Sequence, residues 1–300
     1  MATFMRSQWA VESVTTAGER VIAPPAGLVG PAIQPGMKGG IQLRAERIAG
    51  RTRITDLACR PPLQVLRAHH VDPERPDLAS VILASPAGGI LQGDQLTIDI
   101  RVGPGARLSV GTQSATRIYR APAGEARQVV RLEVEGGGYL EYLPDPFIPY
   151  AGSRFTCGTT AIVAADAALI IGEVIAPGRA ARGEILAFER FESTVEMARP
   201  DGTLLATDAV ILDRRERLPV VGALGRHLAV GTLLVIRSGF SPSILRDAGN
   251  HAAGPPVSVG ASTLPNDAGA WVRVLSDKLC EAVGVLEAAH AAAKQALLAA

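Results

Sequence analysis

Three short reversals recur along this chain in one register. "VGPGARLSV" from Val102, "VEGGGYLEY" from Val134 and "VAADAALII" from Val163 each read Val, four small or turn-forming residues, one variable position, then Leu and a second strand-like run. Val-to-Leu spacing is six residues in all three, and successive units begin 32 and then 29 residues apart. A strand that turns sharply into a second strand cannot bury its apolar face alone, so repeated copies must stack on one another. The spacing therefore predicts a solenoid-like β architecture. An ordinary sandwich, whose turns recur about every 8–12 residues, is the competing arrangement.

The segments between the turns alternate with a period of two. In "DQLTIDIRV", Leu96, Ile98, Ile100 and Val102 share one face while Thr97, Asp99 and Arg101 share the other. "QVVRLEVEGGGYLEY" repeats the device, with Val130, Leu132 and Val134 opposed by Arg131, Glu133 and Glu135. Earlier, "GIQLRAERIAGRTRITDLACRPPLQVLRAHH" alternates apolar and basic residues around "AGRT" and predicts a half-buried hairpin with an arginine-rich outer face, beginning near Ile41. "ARPDGTLLATDAV" carries the Pro-Asp-Gly signature of a further tight reversal.

Helix is scarce until the end. In "SDKLCEAVGVLEAAHAAAKQALLAA", Leu279, Val283, Leu286, His290, Ala293 and Leu297 recur at steps of four and three, which predicts a helix over about 276–299 capped by Ser276 or Asp277. The preceding polar, Gly/Pro-rich "RDAGNHAAGPPVSVGASTLPNDAGAW" reads as a mobile loop. At the other end, "VIAPPAGLVGPAIQPGMKGG" is too rich in Pro and Gly for helix or ladder, so residues 1–38 read as a disordered leader before one domain over 39–300. The expected fold is all-β dominated, with β-helix-like stacked sheets, a C-terminal α-helix and few other helices.

Composition narrows the function. Thirty Lys+Arg against 29 Asp+Glu leaves a formal charge of +1, so no overall field favours nucleic acid or an anionic membrane. The start of the chain shows no signal-peptide pattern, and no run approaches the roughly 18 apolar residues of a membrane helix. Cys59, Cys157 and Cys280 are far apart and odd in number, and read as reduced, mostly buried thiols of a cytoplasmic protein. "SPAGGILQGD" has the glycines of a phosphate loop without its Lys-Ser/Thr ending, and "TQSAT" is no nucleophile elbow. Of five histidines only His69 and His70 adjoin, and strand neighbours point to opposite faces; His290, on the helical stripe, reads as a packed or boundary imidazole.

"SPAGGILQGDQLTIDIRVGPGARLSVGTQSATRIYR" closely resembles the signature of the UreD (UreH) urease accessory proteins: Pro-Gly-Gly-x-x-x-Gly-Asp, a strand, Gly-Pro-Gly-Ala, a second strand, then Thr-Thr-Gln-x-Ala-Thr-Lys-x-Tyr-Arg. The likeness continues through "GYLEYLPDPFIPYAGSRF", "GEVIAPGRAARGEILAF" and "GTLLVI" to the terminal helix, over roughly residues 41–300. Departures are "PAGG" for Pro-Gly-Gly, Gly111 for the first Thr, Arg117 for the Lys, and "DPFIPY" after Leu-Pro.

The resemblance implies a non-enzymatic scaffold with a β-helix-like fold. Such proteins bind apo-urease and UreF while the GTPase UreG supplies nickel, with a homodimer within the accessory complex as a further expectation. The resemblance also implies a wet internal passage holding nickel only transiently, with no tightly bound cofactor. Glu173, a lone carboxylate after the apolar run "ALIIG", aligns with the family's Glu and is the first candidate for that passage; the alternative is a strand-end acid facing water or pairing with Arg179. Asp94 reads as a turn-capping side chain before a metal ligand, and Asp145 and Glu184 are further metal candidates. Thr112, Ser114 and Thr116 read as one face of a strand, and Gln113, Arg117, Tyr119 and Arg120 as a partner interface. Two other functions compete. A β-helical carbohydrate-active enzyme would display sugar-stacking aromatics, yet this chain has two Trp and four Tyr; a stand-alone nickel carrier would need clustered His or Cys.

Overall fold

The three reversals are the hinges of the fold. The computed structural model describes residues 36–70, 72–73, 75–216 and 224–299, so positions 1–35 of the expected leader lie outside the described residues. The described residues begin with the hairpin β1 (Lys38–Ile48) and β2 (Arg51–Arg60), followed by β3 (Gln64–Val65) and β4 (Leu78–Ala84). The repeating region runs β5 (Gln95–Val102), β6 (Arg107–Thr112), β7 (Thr116–Ile118), then β8 (Ala126–Val134), β9 (Tyr139–Leu143), β10 (Phe147–Pro149), then β11 (Arg154–Val163) and β12 (Ala168–Ile175). Beyond it lie β13 (Arg190–Ala198), β14 (Leu204–Asp213), β15 (Ala229–Ile236), α1 (Pro242–Ala252), β16 (Ser258–Thr263), β17 (Gly269–Ser276) and α2 (Leu279–Leu298).

Each Val-to-Leu turn carries the chain from one sheet into the other. In the first sheet, ordered β14-β13-β11-β8-β5-β1-β2, Val102, Val134 and Val163 stand side by side in parallel register. In the second, whose main path is β16-β17-β15-β12-β9-β6-β4-β3, Leu108, Leu140 and Leu169 do the same. The repeat read from sequence is thus one coil of a stacked structure, and antiparallel strands close its ends. Gly137 holds φ at +64°, a turn conformation that a side chain would strain.

Two cores result. Inward residues of both sheets, among them Ile98, Ile100, Leu132, Leu140 and Leu169, form the first. The second lies between the outer face of the second sheet (Ile170, Val272, Val274) and the helices (Leu245, Ala282, Val285, Ala289). This explains the difference in pattern between strands. The first sheet alternates, as in β8, whereas β15 is buried at every position because both faces of its sheet are covered.

Several expectations change. The segment read as a mobile loop contains most of α1, all of β16 and the start of β17. Ser241 caps α1 through Ser243 N, and the helix packs on α2 and β16, so tertiary contacts override its weak local propensity. For α2 the N-cap is Lys278, not Ser276 or Asp277; Ser276 Oγ instead accepts from Lys278 N and donates to Glu281 Oε2 at 2.8 Å. Its buried line runs Ala282, Val285, Leu286, Ala289 and Ala293, since small alanines let the helix lie close to sheet and neighbour. Cys157 is buried, but Cys59 on the edge strand β2 and Cys280 on the solvent side of α2 are exposed. The hydroxyl alternation is not one strand: β6 ends at Thr112 and β7 begins at Thr116.

Phe147, Phe155 and Phe191 meet with ring centroids 5.5 to 5.7 Å apart inside the first core, in a chain whose aromatic content is only 4%. Truncating Phe155, 1% exposed, leaves a cavity that aliphatic neighbours cannot refill. Phe155→Ala is expected to lower unfolding free energy by about 3–5 kcal/mol and Phe155→Leu by clearly less, measured as urea midpoints at unchanged slope.

Candidate functional site

Register brings polar side chains together inside an otherwise apolar sandwich. On the inner face of the first sheet, Gln128, Cys157 and Ser193 are cross-strand neighbours on β8, β11 and β13. Facing them on the second sheet, Glu173, Thr232 and Arg273 are aligned across β12, β15 and β17. Gln128, Ser193 and Thr232 are buried, as is Thr159 beside them. Buried polar groups at this density are uncommon unless they bond one another or water.

Glu173 is the centre of this row. Ser193 Oγ donates to Glu173 Oε2 at 2.6 Å, a bond that crosses from one sheet to the other. Arg273 does not pair with Glu173. Its Nη2 binds both oxygens of Asp208, at 2.8 and 2.7 Å, while its Nε donates to Thr232 Oγ1 at 3.3 Å. Burial pushes the Glu173 carboxyl up to about 7; the Ser193 hydrogen bond opposes this, the negative charge of Asp208 adds to it, and Arg273 opposes it again. Burial likewise pushes the Cys157 thiol up to about 12 and raises the Tyr142 phenol, with the charge of Glu173 contributing to both.

Three cavities adjoin at this point. One of about 260 Å³ lies between the sheets and is lined by Leu83, Ser85, Gln113, Thr116, Gln128 and Tyr142 among others. It shares Gln128, Tyr142, Pro144 and Phe147 with a narrow space of about 20 Å³ bounded by Thr159, Glu173, Asp208 and Thr232. That constriction shares Pro144, Gly172 and Glu173 with a chamber of about 280 Å³ beneath α2. Glu173 thus stands mid-strand, inside the protein, and Arg179 binds Glu184 instead.

The other sequence candidates are dispersed. Asp94 accepts from Met37 N and Leu91 N, both at 2.8 Å, and so ties β1 to the turn before β5. Asp145 lines the chamber and is bonded to Thr112. Glu184 lies outside these cavities: Arg179 Nε reaches its Oε2 at 2.8 Å, Ala151 N donates to the same oxygen at 3.2 Å, and the Arg179 guanidinium sits 4.1 Å from the centroid of the Tyr150 ring. Gln113 and Arg117 are exposed at the rim of the first cavity, and Arg117 Nη1 donates to Gly88 O at 3.2 Å. Tyr119 packs edge-on to Tyr150, with centroids 5.0 Å apart, and Arg120 is exposed. Among the described residues, no group of three or more His, Cys, Asp or Glu side chains is arranged to hold a metal ion.

Sequence reasoning missed two side-chain networks, one buried and one at the sheet edge. Glu141, 1% exposed, receives the Tyr139 hydroxyl at 2.5 Å and lies 3.3 Å from His290 Nε2. Burial works against its charge, but His290, Tyr139 and Ser109 together hold its carboxyl below the ordinary range. The approach of His290 to Glu141 sets α2 against β9. At the far edge, Ser258 Oγ, His227 and Asp277 form a relay with contacts of 3.0 and 3.1 Å. Ser258 is exposed on an edge strand and lines none of the three cavities, so the relay acts as a clip between β16 and the segment before β15.

Comparison with known proteins finds urease accessory proteins. The family model described as UreD urease accessory protein matches residues 37–300. Similar proteins include urease accessory protein UreD 2 of Streptomyces griseus, 36% identical over 267 residues (88% of this chain and 91% of that protein). Urease accessory protein UreD of Haloarcula marismortui is 35% identical over 267 residues (88% of each chain), and UreD 3 of Methylorubrum populi is 37% identical over 253 residues (80% of this chain and 79% of that protein). The chain belongs to the UreD urease accessory protein family. Among the described residues, no helix is long and apolar enough to cross a membrane.

The raised Glu173 carboxyl links stability to pH. Its folded value lies above the ordinary 4.5, so the folded state binds the proton more tightly, and stability is lost as pH rises from about 4.5 to about 7. Glu173→Gln keeps an acceptor for Ser193 and removes this titration. Relative to wild type, the variant is expected to gain on the order of 3 kcal/mol between those pH values, read from denaturant midpoints; parallel pH curves would contradict this.

Proposed function

We propose that this protein is a non-catalytic scaffold of urease maturation that passes Ni²⁺ through the Glu173 constriction to apo-urease. In this reading it works in the cytoplasm, docked to UreF, with the GTPase UreG supplying the metal. The observation that carries it is the position of Glu173: a carboxyl between two sheets, at the narrowest point of adjoining cavities. An acid is expensive to bury without a strong partner, and Ser193 alone does not offset that cost.

The chemistry of the lining suits a cation in transit. A space of about 20 Å³ holds about one water. A hydrated divalent ion must therefore shed part of its shell there, and Glu173, Gln128, Thr159 and Thr232 supply replacement oxygens. One carboxylate with neutral oxygens binds Ni²⁺ far more weakly than a His/Cys cage, so the ion can leave. Because the Glu173 carboxyl sits near 7, an arriving cation displaces a proton that returns after it departs. Gln113 and Arg117 rim the first cavity, and with Tyr119 and Arg120 form the face offered to a partner.

Glu173→Gln and Glu173→Ala test the reading in the reconstituted complex with UreF, UreG and apo-urease. Both variants are expected to assemble as wild type does. Nickel bound to urease at a fixed time is expected to fall about tenfold, the effect of raising a transit barrier by roughly 1.4 kcal/mol. Wild-type nickel content in both variants would reject the passage while leaving the scaffold role standing.

A further inference from the structure

Three strands meet at one corner of the second sheet, far from the Glu173 constriction along the ladder. β15, β17 and β16 are antiparallel neighbours in that order, with Ala229 opposite Ser276 and Leu275 opposite Ser258. The start of β15, the end of β17 and the start of β16 therefore lie side by side. His227 comes just before β15, Asp277 just after β17, and Ser258 opens β16. Register thus gathers a hydroxyl, an imidazole and a carboxylate from positions up to 50 residues apart.

The order of contacts is that of an activated nucleophile. Ser258 Oγ lies 3.0 Å from His227 Nε2, and His227 Nδ1 lies 3.1 Å from Asp277 Oδ1. A carboxylate accepts from Nδ1–H and so leaves Nε2 to accept the serine proton, the tautomer a general base needs. The imidazole is held in place. His227 is 8% exposed, its backbone N–H donates to Leu224 O at 2.9 Å, and the next residue, Leu228, donates to Ser276 O at 3.1 Å. Fastening an edge strand takes one hydrogen bond; the third, orienting member adds a basicity that fastening does not use. Ser258 itself is exposed, and a hydroxyl that donates its proton to nitrogen keeps its lone pairs open to solvent.

We propose that Ser258 is a covalent acceptor for small activated acyl groups, those of an activated ester, a thioester or an acyl phosphate, with His227 as its base and Asp277 as the residue that orients the base. The proposal is independent of the cation passage. In the step, the bond from Oγ to the carbonyl carbon forms as the bond from that carbon to the leaving group breaks. The hydroxyl proton moves to His227 Nε2 and departs with the leaving group, and no oxidation state changes. On an open edge strand, outside the three cavities described above, water reaches the oxyanion, so the reaction ends at the serine ester and does not turn over. An ester oxygen has no proton to give Nε2. Acylation therefore also releases the contact that fastens the start of β16.

The test treats the full chain with p-nitrophenyl acetate and follows acetylation site by site by peptide mass mapping. Ser258 is expected to be acetylated well ahead of Ser262, which lies two residues on, on the same strand face, and is also exposed. His227→Gln keeps polar groups for both neighbours but cannot take the proton, and is expected to slow acetylation of Ser258 roughly a hundredfold; Asp277→Asn, nearly the same size, is expected to slow it roughly tenfold. Ser258→Ala removes the adduct. Equal rates at Ser258 and Ser262 in wild type, or a wild-type rate at Ser258 in both the His227 and Asp277 variants, overturns the proposal. If His227→Gln does not fold, as judged by its urea midpoint, the rate in Asp277→Asn decides alone.

Discussion

The hydrogen bond from Ser193 to Glu173 spans the space between two sheets, and much of the molecule is arranged around the cost of placing a carboxyl there. Burial lifts its pKa to about 7, so near neutral pH the group stands between its two protonation states. A fully paired carboxylate would be locked in its charged form, as Asp213 is between Arg190 and Arg215. Diverting Arg273 to Asp208 is therefore as important as the position of Glu173 itself. The nearby cation is engaged elsewhere, and the acid stays available.

Stacking makes such a site buildable. Parallel register sets equivalent positions of successive coils side by side, so a polar residue at one inward position of each strand becomes a continuous row. Gln128, Cys157 and Ser193 belong to three different strands and are neighbours only because the coils align. The same register carries the Val and Leu positions that hold the coils together. A shift of one residue would turn the polar row outward and the valines with it, so the site and the core depend on one constraint.

Much of the fold was legible in the sequence. The reversals carry local turn chemistry that repeats, and strands of the first sheet alternate because one face meets solvent. The segment holding α1 and β16 was not legible, because its order comes from α2 and β17. The site was legible only in part. Glu173 stood out as a lone acid beside an apolar run, yet β12 is buried on both sides and its pattern gives no clue to which way the acid points. A usable signal was present in parity: Gln128 shares its face with Val130 and Leu132, and Ser193 with Phe191 and Val195, which marks both as polar residues at inward positions. Thr232 sits in the wholly buried strand β15 and carries no such mark, and the contact of Glu141 with His290 joins residues far apart in sequence.

The central proposal is that Glu173, a half-buried acid set between the two sheets, exchanges its proton for a divalent cation. Its side-chain carboxyl can be followed directly by carbon NMR as pH is varied, with and without Zn²⁺ as a diamagnetic stand-in. The account predicts a midpoint near 7 for the free protein that moves to lower pH when the cation is added. A midpoint in the ordinary glutamate range, indifferent to the cation, would contradict it.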